Sequence, residues 1–295
     1  MITGISLPSG SNRLYSGSQD QTVRVWDCET GQCVGTVNLE GQVGCLISEG
    51  SWIFAGIPNG VKAWNTQTST DVSLDAGPNA GQVYTLAAAN ADDNEMLLFA
   101  GVQDGRILAW KRFEPAAALA GHRSAVVSLV IGAGRLYSGS MDTTIRVWDL
   151  ATLQCIESLA AHTDVVMSLL CWDQFLFSAS LDGTIKVWAA TETESISTGN
   201  NLLQVTYTHN EEDGVLKLCG MPDAQGKPVL LCACNDNTVR LYDLPSFSER
   251  GKIFAKEEVR SMEIGPGGLF FTGDAAGELK VWRWLPAANE AVSAA

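Results

Sequence analysis

Hydrophobic and polar positions alternate along this chain in a unit that recurs about every 40 residues. The clearest copy is Arg135 to Asp149, RLYSGSMDTTIRVWD, in which two short apolar runs flank the small polar turn Met141 to Thr144. Branched and aromatic residues that alternate on either side of such a turn predict a β-hairpin. Close copies are RLYSGSQDQTVRVWD at 13–27 and FLFSASLDGTIKVWA at 175–189. The recurrence predicts a repeat protein built from hairpins.

Seven copies are counted from the aromatic residue that closes each hairpin. These residues are Trp26, Trp64, Trp110, Trp148, Trp188, Tyr242 and Trp282, at successive spacings of 38, 46, 38, 40, 54 and 40. A period near 40 that ends in Trp-Asp resembles the WD-repeat family, in which each repeat forms one four-stranded blade of a β-propeller. The resemblance implies an all-β fold, a seven-bladed β-propeller of four-stranded antiparallel blades.

The domain prediction is a single propeller over residues 1–285, followed by a flexible C-terminal tail over 286–295. Met1 to Ile5 have the pattern of an innermost strand, whereas Arg283 to Ala295 are rich in alanine and interrupted by proline, which disfavours a fourth strand. We therefore expect the closing strand of the last blade to be missing or irregular, and we favour a chain trimmed from a longer one. Three long loops should emerge on one face, called the bottom: 90–95, 189–201 and 221–228.

Charge and cysteine spacing limit the classes of function. The net charge of −14 argues against a nucleic-acid surface over the whole chain but leaves a local basic patch open. The sequence has no apolar run of about 18 residues and no basic leader, so we expect no membrane contact. The cysteines lack metal-site spacing, so we expect no metal and no cofactor in an intracellular protein of the nucleus or cytoplasm. Cys28 and Cys33 flank a turn and could face each other, so a contact between these two cysteines stays an open question.

The repeat places polar residues in otherwise apolar strands, where they need hydrogen-bond partners. Two copies contain the complete set, which is His122, Ser138, Asp142 and Trp148, then His162, Ser178, Asp182 and Trp188. Ser, His and Asp could form a hydrolase triad, but a triad is rarely duplicated within one chain. In WD-repeat proteins these positions form a hydrogen-bonded chain from Trp to Ser to His to Asp. The resemblance thus implies a structural network, and we predict that the protein is not an enzyme.

In WD-repeat propellers the top face is often the recognition surface, and three positions of each blade point into it. Matched to this chain, they predict an apolar patch over blades four to six beside acidic loops of blades six and seven. The predicted partner-binding residues are Val127, Met141, Met167, Leu181, Leu216, Glu258 and Arg260, with Val165 in the same patch. A protein or peptide with apolar anchors and a basic residue would fit. Alternatively, some of these side chains turn into the central channel and fill it.

Longer segments are similar to a plant subgroup of WD-repeat proteins that carry CCCH zinc fingers upstream. They are RLYSGSMDTTIRVWDL, VVMSLLCWDQFLFSASLDGTIKVW, VTYTHNEEDGVLKLCG and ELKVWRWLP. The resemblance covers the whole chain, in which no zinc finger is present. It implies that nucleic-acid binding belongs to a missing portion and that this ring recruits proteins. The first hypothesis is therefore a non-catalytic protein-interaction scaffold.

Other functions stay open at this point. Direct RNA binding is supported by the subgroup and by scattered basic residues, namely Arg106, Lys111, Arg112 and Arg123. A substrate receptor of a ubiquitin ligase would be a specialised form of the scaffold. An enzyme that used Ser-His-Asp would be detected by labelling of Ser138 or Ser178 with a serine-reactive probe.

Overall fold

Strands account for nearly all the regular structure of the protein, as the alternating pattern predicts. A computed structural model describes residues 1–91, 95–160, 162–190 and 203–284. Within these ranges 27 strands form seven antiparallel sheets, and the 3-10 turn Pro266–Gly268 is the one helical segment. Six sheets have four strands and the last has three. The prediction of an all-β, seven-bladed propeller is confirmed.

Each of the first three blades is a four-stranded meander. Blade one contains β1 (Ile2–Ser6), β2 (Arg13–Ser18), β3 (Thr22–Asp27) and β4 (Cys33–Asn38). Blade two contains β5 (Cys45–Glu49), β6 (Trp52–Ile57), β7 (Gly60–Asn65) and β8 (Asp71–Asp75). Blade three contains β9 (Val83–Ala91), β10 (Glu95–Val102), β11 (Ile107–Lys111) and β12 (Glu114–Leu119).

The remaining blades repeat the meander until the last one, which has three strands. Blade four contains β13 (Val126–Gly132), β14 (Arg135–Ser140), β15 (Ile145–Asp149) and β16 (Cys155–Leu159). Blade five contains β17 (Val166–Trp172), β18 (Phe175–Ser180), β19 (Thr184–Ala190) and β20 (Leu203–Asn210). Blade six contains β21 (Val215–Pro222), β22 (Pro228–Cys234), β23 (Thr238–Asp243) and β24 (Ser248–Phe254). Blade seven contains β25 (Val259–Ile264), β26 (Leu269–Asp274) and β27 (Leu279–Arg283).

The first strand of every blade contacts the first strand of the next, and β25 contacts β1, so the ring is closed. Side chains of these inner strands also hydrogen-bond to the following blade, and three of these bonds share one pattern. The backbone N–H donors and their acceptors are Leu129 to Thr85 Oγ1 (3.1 Å), Leu169 to Ser128 Oγ (2.9 Å) and Leu218 to Ser168 Oγ (3.0 Å). Blades three to six are therefore joined in series by polar contacts as well as by apolar packing.

The three strands of blade seven agree with a closing strand that is missing or irregular. The tail predicted over 286–295 lies outside the described residues, as do residues 92–94 and 191–201 of the first two predicted bottom loops. The other residues of the loop predicted over 90–95 belong to β9 and β10. The third predicted bottom loop, 221–228, is shorter than expected. The ladder of β21 and β22 continues to the pair Pro222 and Pro228, so only five residues separate the two strands.

The apolar core lies between neighbouring blades rather than within one sheet. Phe99 of blade three packs in one cluster with Leu136 and Trp148 of blade four. The blades approach so closely that a Cβ atom at Gly139 would lie 2.8 Å from Val166 Cγ1 of blade five. The glycine of the repeated RLYSGS segment is therefore required by the packing between blades.

A residue of left-handed conformation completes the turn between the second and third strands of every blade. It lies five positions before the closing aromatic, at Gln21, Asn59, Gly105, Thr143, Gly183, Asn237 and Gly277. Glycine and asparagine adopt this conformation at little cost, which explains their recurrence there. In blade four, Asp142 Oδ1 accepts hydrogen bonds from the N–H and the hydroxyl group of Thr144. The turn thus fixes the position of the aspartate carboxylate.

Candidate functional site

Four side chains of blade four form a continuous chain of hydrogen bonds. The Trp148 indole N–H donates to Ser138 Oγ at 2.9 Å, and Ser138 Oγ lies 2.7 Å from His122 Nε2. His122 Nδ1 lies 3.0 Å from Asp142 Oδ2. Because Ser138 Oγ accepts the indole hydrogen, its own hydrogen can be donated to Nε2. We therefore assign the imidazole proton to Nδ1, which donates to Asp142.

Blade five repeats this arrangement within about 0.1 Å. The Trp188 indole N–H donates to Ser178 Oγ at 2.8 Å, and Ser178 Oγ lies 2.7 Å from His162 Nε2. His162 Nδ1 lies 2.9 Å from Asp182 Oδ2. In both blades the histidine comes from the loop before the first strand, so the network joins that loop to the second and third strands and the turn between them.

The surroundings of the network keep its histidines neutral and its aspartates charged. Burial lowers the pKa of His122 and of His162 below the ordinary value, although the neighbouring aspartate acts in the opposite direction. Burial alone would raise the pKa of Asp142, but hydrogen bonds from Thr144 and from the N–H of Arg123 lower it to about 2. A neutral histidine that donates to a carboxylate satisfies both groups without a second buried charge.

The same three residue types form the catalytic triad of hydrolases, but here the serines are inaccessible. Ser138 and Ser178 are both 0% exposed, and each hydroxyl oxygen accepts an indole N–H. A nucleophilic serine must reach a substrate carbonyl carbon, with oxyanion donors beside it. The geometry of the two sets therefore fits a structural network and offers no nucleophile at these positions.

In blade six an ionic network takes the place of the Trp-Ser-His-Asp hydrogen bonds. Glu211 lies four residues before Val215, as His162 lies four residues before Val166, and it occupies the position of the histidine. Tyr242 replaces the closing tryptophan, and its hydroxyl group donates to Glu211 Oε1 at 2.6 Å. The other carboxylate oxygen of Glu211 pairs with the guanidinium group of Arg240. This guanidinium group also binds Asp236 at 2.8 Å and Asp213 at 3.1 Å.

His209, the third histidine of the chain, does not take the histidine position of blade six. His209 lies on β20, the outermost strand of blade five, and pairs with Ile185 of β19. Its ring packs against Tyr242 and Phe247, at centroid distances of 4.7 and 5.0 Å. The histidine position lies 26 residues before the closing aromatic in blades four and five but 31 residues before it in blade six, because the loop between β21 and β22 is longer there. Counting from Val215 would have identified Glu211.

Blades one and seven keep a shortened form of the network. The Trp26 indole N–H donates to Ser16 Oγ at 2.8 Å, and the Trp282 indole N–H donates to Thr272 Oγ1 at 2.9 Å. No histidine lies within hydrogen-bonding distance of Ser16 or Thr272 among the described residues. In these two blades the network is reduced to one bond between the second and third strands.

The predicted top-face positions occupy equivalent places in blades four and five. The backbone N–H of Met141 donates to Ala125 O at 2.9 Å, and that of Leu181 donates to Val165 O at 3.1 Å. Met141 is 43% exposed. Val127, Val165, Met167 and Leu181 are half-buried. The structure thus brings five of the predicted apolar residues to the same end of two adjacent blades.

Leu216 does not contribute to that exposed surface, which corrects the prediction that it does. Its exposure is only 5%. Gly214 lies two residues before Leu216, and its lack of a side chain leaves room for Leu181 of blade five. A Cβ atom on Gly214 would lie 3.1 Å from Leu181 Cδ2. Leu181 of blade five therefore packs against the residue that precedes β21.

The two charged residues predicted for the top face pair with each other. Arg260 donates from Nη2 to Glu258 Oε2, and both side chains are about one third exposed. The backbone N–H of Ala275 donates to Glu258 O at 2.9 Å, so blade seven shares the backbone arrangement of blades four and five. Much of the charge of Glu258 is therefore neutralised by Arg260.

Comparison with known proteins agrees with the repeat and the blade geometry. Residues 1–27, 113–149 and 153–189 match the model of the WD domain, G-beta repeat (WD40). Zinc finger CCCH domain-containing protein 62 of Arabidopsis thaliana is 50% identical over 298 residues, which cover 98% of this chain and 68% of that protein. The chain belongs to the WD40 family of plant CCCH zinc finger proteins. The resemblance stated from the sequence is confirmed.

Other matches give the extent of this relationship. Zinc finger CCCH domain-containing protein 17 of Oryza sativa subsp. japonica is 65% identical over 97% of this chain. The WD40 chain spans 64% of that relative's length. The crystal structure of the WD40 beta propeller domain of Doa1 matches with a TM-score of 0.78, over 95% of this chain and 91% of that chain, at 20% identity. This last likeness concerns the fold alone.

One group of possible metal ligands lies in blade six of the WD40 propeller. The ligand atoms of Glu211, Cys232 and Cys234 lie within 4.8 Å of one another. Burial raises the pKa of Cys232 well above its ordinary value, which disfavours the thiolate that a metal requires. Both carboxylate oxygens of Glu211 are already used by Tyr242 and Arg240. These residues therefore fit the internal network better than a metal site.

Two further sequence predictions concern the cysteine pair and contact with a membrane. Cys28 and Cys33, considered as a pair, are both free and exposed. No helix among the described residues is long and apolar enough to cross a membrane.

Proposed function

We propose that this WD40 propeller is a non-catalytic scaffold that recruits a protein or peptide through the top face of blades four and five. The family supports the coarser statement, since WD40 propellers are typically protein-interaction scaffolds. The observation that carries the finer one is the exposure of Met141, which is 43%. It lies beside Val127, Val165, Met167 and Leu181, which are half-buried at the same end of the two blades. Adjacent apolar side chains at a surface favour a partner site.

The charges around this patch favour a partner with basic residues. Glu212 and Glu257, on the loops that precede β21 and β25, are exposed. The positive charge of Arg260 is largely compensated by its ion pair with Glu258. A peptide that placed apolar side chains over Met141 and a lysine or arginine near Glu212 would therefore match both features.

RNA association is the second candidate, because the relatives are named for their zinc fingers. The matched chain spans only 64% of the rice relative. With a net charge of −14, this ring offers little electrostatic attraction for a phosphate backbone. RNA contact through another portion of a longer protein is therefore favoured over contact through the propeller.

The test is an affinity pull-down after nuclease treatment, which compares the wild type with a Met141→Glu/Leu181→Glu double variant. We expect a protein partner to survive nuclease and to be reduced about tenfold or more by the variant, because two charges would enter an apolar interface. The matched control is Val34→Glu/Val37→Glu, which changes two exposed valines on the outer strand of blade one.

The outcomes separate the two candidates. Equal recovery of partners by the wild type and the Met141 variant would remove the top face of these blades from consideration. Recovery that depends on intact RNA in every case would favour RNA association instead. Circular dichroism of both double variants checks that they are folded.

A further inference from the structure

An apolar groove lies between blades five and six, at the end of the blades opposite the Asp182 turn. Its volume is about 370 Å3, within the range of roughly 300–1,000 Å3 that ligand pockets occupy. Its walls include the aromatic side chains of Trp172, Phe175, Tyr207 and Phe247. None of these residues belongs to the top face, so the groove is a separate surface.

The packing between the two blades explains how the groove is formed. The Trp172 ring lies over blade six, where a Cβ atom at Gly220 would be 2.2 Å from its Cζ3 atom. On the other wall the rings of Tyr207 and Phe247 lie 4.8 Å apart. Tyr207 is nevertheless 44% exposed. The groove therefore has a fixed apolar floor and an aromatic rim that solvent reaches.

The strand at the rim favours an extended peptide over a compact ligand. Tyr207 belongs to β20, the outermost strand of blade five, which pairs with β19 on one side only among the described strands. Its other edge leaves backbone N–H and C=O groups without strand partners, a template on which an extended peptide can add. Val205, two residues before Tyr207 on this strand, is also exposed.

The charge at the groove favours a basic residue in the peptide. Asp173 is the one charged residue that lines it among the described residues, and it is exposed. Arg250 binds two other acidic residues of blade six, Asp223 at 2.8 Å and Asp243 at 2.6 Å, so its single positive charge compensates only part of theirs. Three acidic residues stand against two basic ones, which are Arg250 and the exposed Lys227 before the lining residue Pro228, so the net charge around the groove is negative.

We propose that this groove is a second docking site, which takes an extended peptide segment of a partner protein. The peptide lies along the outer edge of β20, inserts one apolar side chain between Trp172 and Tyr207, and places a lysine or arginine beside Asp173. The site is independent of the top face, so the propeller can hold two different segments at once.

The test begins with selection of a random phage-displayed peptide library on the full chain. Affinities of the selected peptides are then measured by fluorescence polarisation. We expect the selected peptides to share an apolar residue near a lysine or arginine. We expect Tyr207→Glu to weaken their binding about tenfold or more, since it adds a charge to an apolar wall. Asp173→Asn should weaken binding severalfold and reduce its dependence on salt.

Two matched variants distinguish this site from the rest of the surface. Val34→Glu changes a valine that is 53% exposed on the outer strand of blade one, and it should leave the affinity unchanged. The Met141→Glu/Leu181→Glu variant should also bind the groove peptides normally, even if it loses its top-face partner. If thermal unfolding shows that Tyr207→Glu is unfolded, Tyr207→Ala replaces it, with a smaller expected loss.

Several outcomes would overturn the proposal. They are selection of no peptide, selected peptides without an apolar residue, and equal binding by the wild type and the Tyr207 variants. A chain that elutes as a dimer, and as a monomer after Tyr207→Glu, would show that a second copy fills the groove instead. Failure of the top-face pull-down leaves this result unaffected, because the two experiments use different residues.

Discussion

Blades four and six bring the same strand positions together with different chemistry. In blade four a neutral histidine, His122, connects Ser138 to Asp142 through hydrogen bonds. In blade six Glu211 occupies the histidine position and is bound by Arg240 and Tyr242. The first network contains one formal charge, on the aspartate, and the second contains several charges of both signs.

The difference shows what the fold requires at these positions. Every polar group that is buried between a loop and two strands needs a partner, but no particular residue type is required. Replacement of the histidine by glutamate is tolerated because Arg240 supplies the positive charge. Replacement of tryptophan by tyrosine keeps a donor, but this donor bonds to Glu211 at the histidine position instead of to the residue at the serine position. Changes within one network must therefore be matched by changes elsewhere in the same blade.

The largest expected effect follows from removal of the cation of blade six. Arg240→Met should reduce the free energy of unfolding by about 3–5 kcal/mol, because it leaves the carboxylate of Glu211 buried without its positive partner. The side chains of Glu211 and Arg240 are only 2% and 7% exposed. Chemical denaturation of the wild type and the variant measures the difference.

The control for Arg240→Met is the double variant Glu211→Leu/Arg240→Met. When both charges of a buried pair are replaced by apolar groups, much of the loss should be recovered. A double variant less stable than Arg240→Met alone would show that Tyr242 depends on Glu211 more than Glu211 depends on Arg240.

An intermediate effect is expected from the serine of blade four. Ser138→Ala should cost about 1–3 kcal/mol, because it leaves both the Trp148 indole N–H and His122 Nε2 without their partner. The matched change in blade one, Ser16→Ala, affects a single bond to Trp26 and should cost about 1 kcal/mol. Equal losses in the two blades would mean that the histidine adds nothing to the network.

The smallest effect is the part of the pH dependence of stability that comes from the two histidine blades. The folded pKa values of His122 and His162 lie below the unfolded value of 6.5. The unfolded chain therefore binds more protons below that pH, and the stability from these residues falls as the pH is lowered. A His122→Asn/His162→Asn variant should lose less stability than the wild type between about pH 7.5 and about pH 5.5.

The wild type must be compared with the histidine variant because Glu263 changes the stability in the opposite direction as the pH falls. Burial raises the pKa of its carboxyl group to about 7, so the folded state gains stability as the pH falls through that range. Both proteins contain Glu263, and its contribution cancels from the difference between them. An identical pH dependence for the two would contradict the assignment of neutral, buried histidines.

Much of the architecture was predictable from the sequence because the repeat recurs in local patterns. The seven closing aromatics, from Trp26 to Trp282, identified the seven blades, and the set in blades four and five indicated which side chains meet. The sets in blades four and five were recognisable because their loops have equal lengths, which keeps the sequence separations between the four residues the same. His122 precedes Ser138 by 16 residues and His162 precedes Ser178 by the same number.

Features that depend on contacts between blades were not predictable. Leu181 approaches Gly214 across a blade boundary, and Leu216 is buried at the start of β21. The role of Glu211 was hidden because three residue types of its network differ from those of blades four and five. In addition, the longer loop before β22 increases the sequence separation between Glu211 and Tyr242. The groove beside Tyr207 joins residues from both blades, and no local pattern relates them.

The hydrogen bonds from Leu129, Leu169 and Leu218 to the side chains of the preceding blades have a mechanical consequence. These bonds connect the inner strands of blades three to six in series. A displacement of one of these inner strands is passed directly to the next, so this arc resists shear as a unit. The top-face patch and the groove both lie on that arc, so a force applied by a partner at either site would be shared among bonded strands.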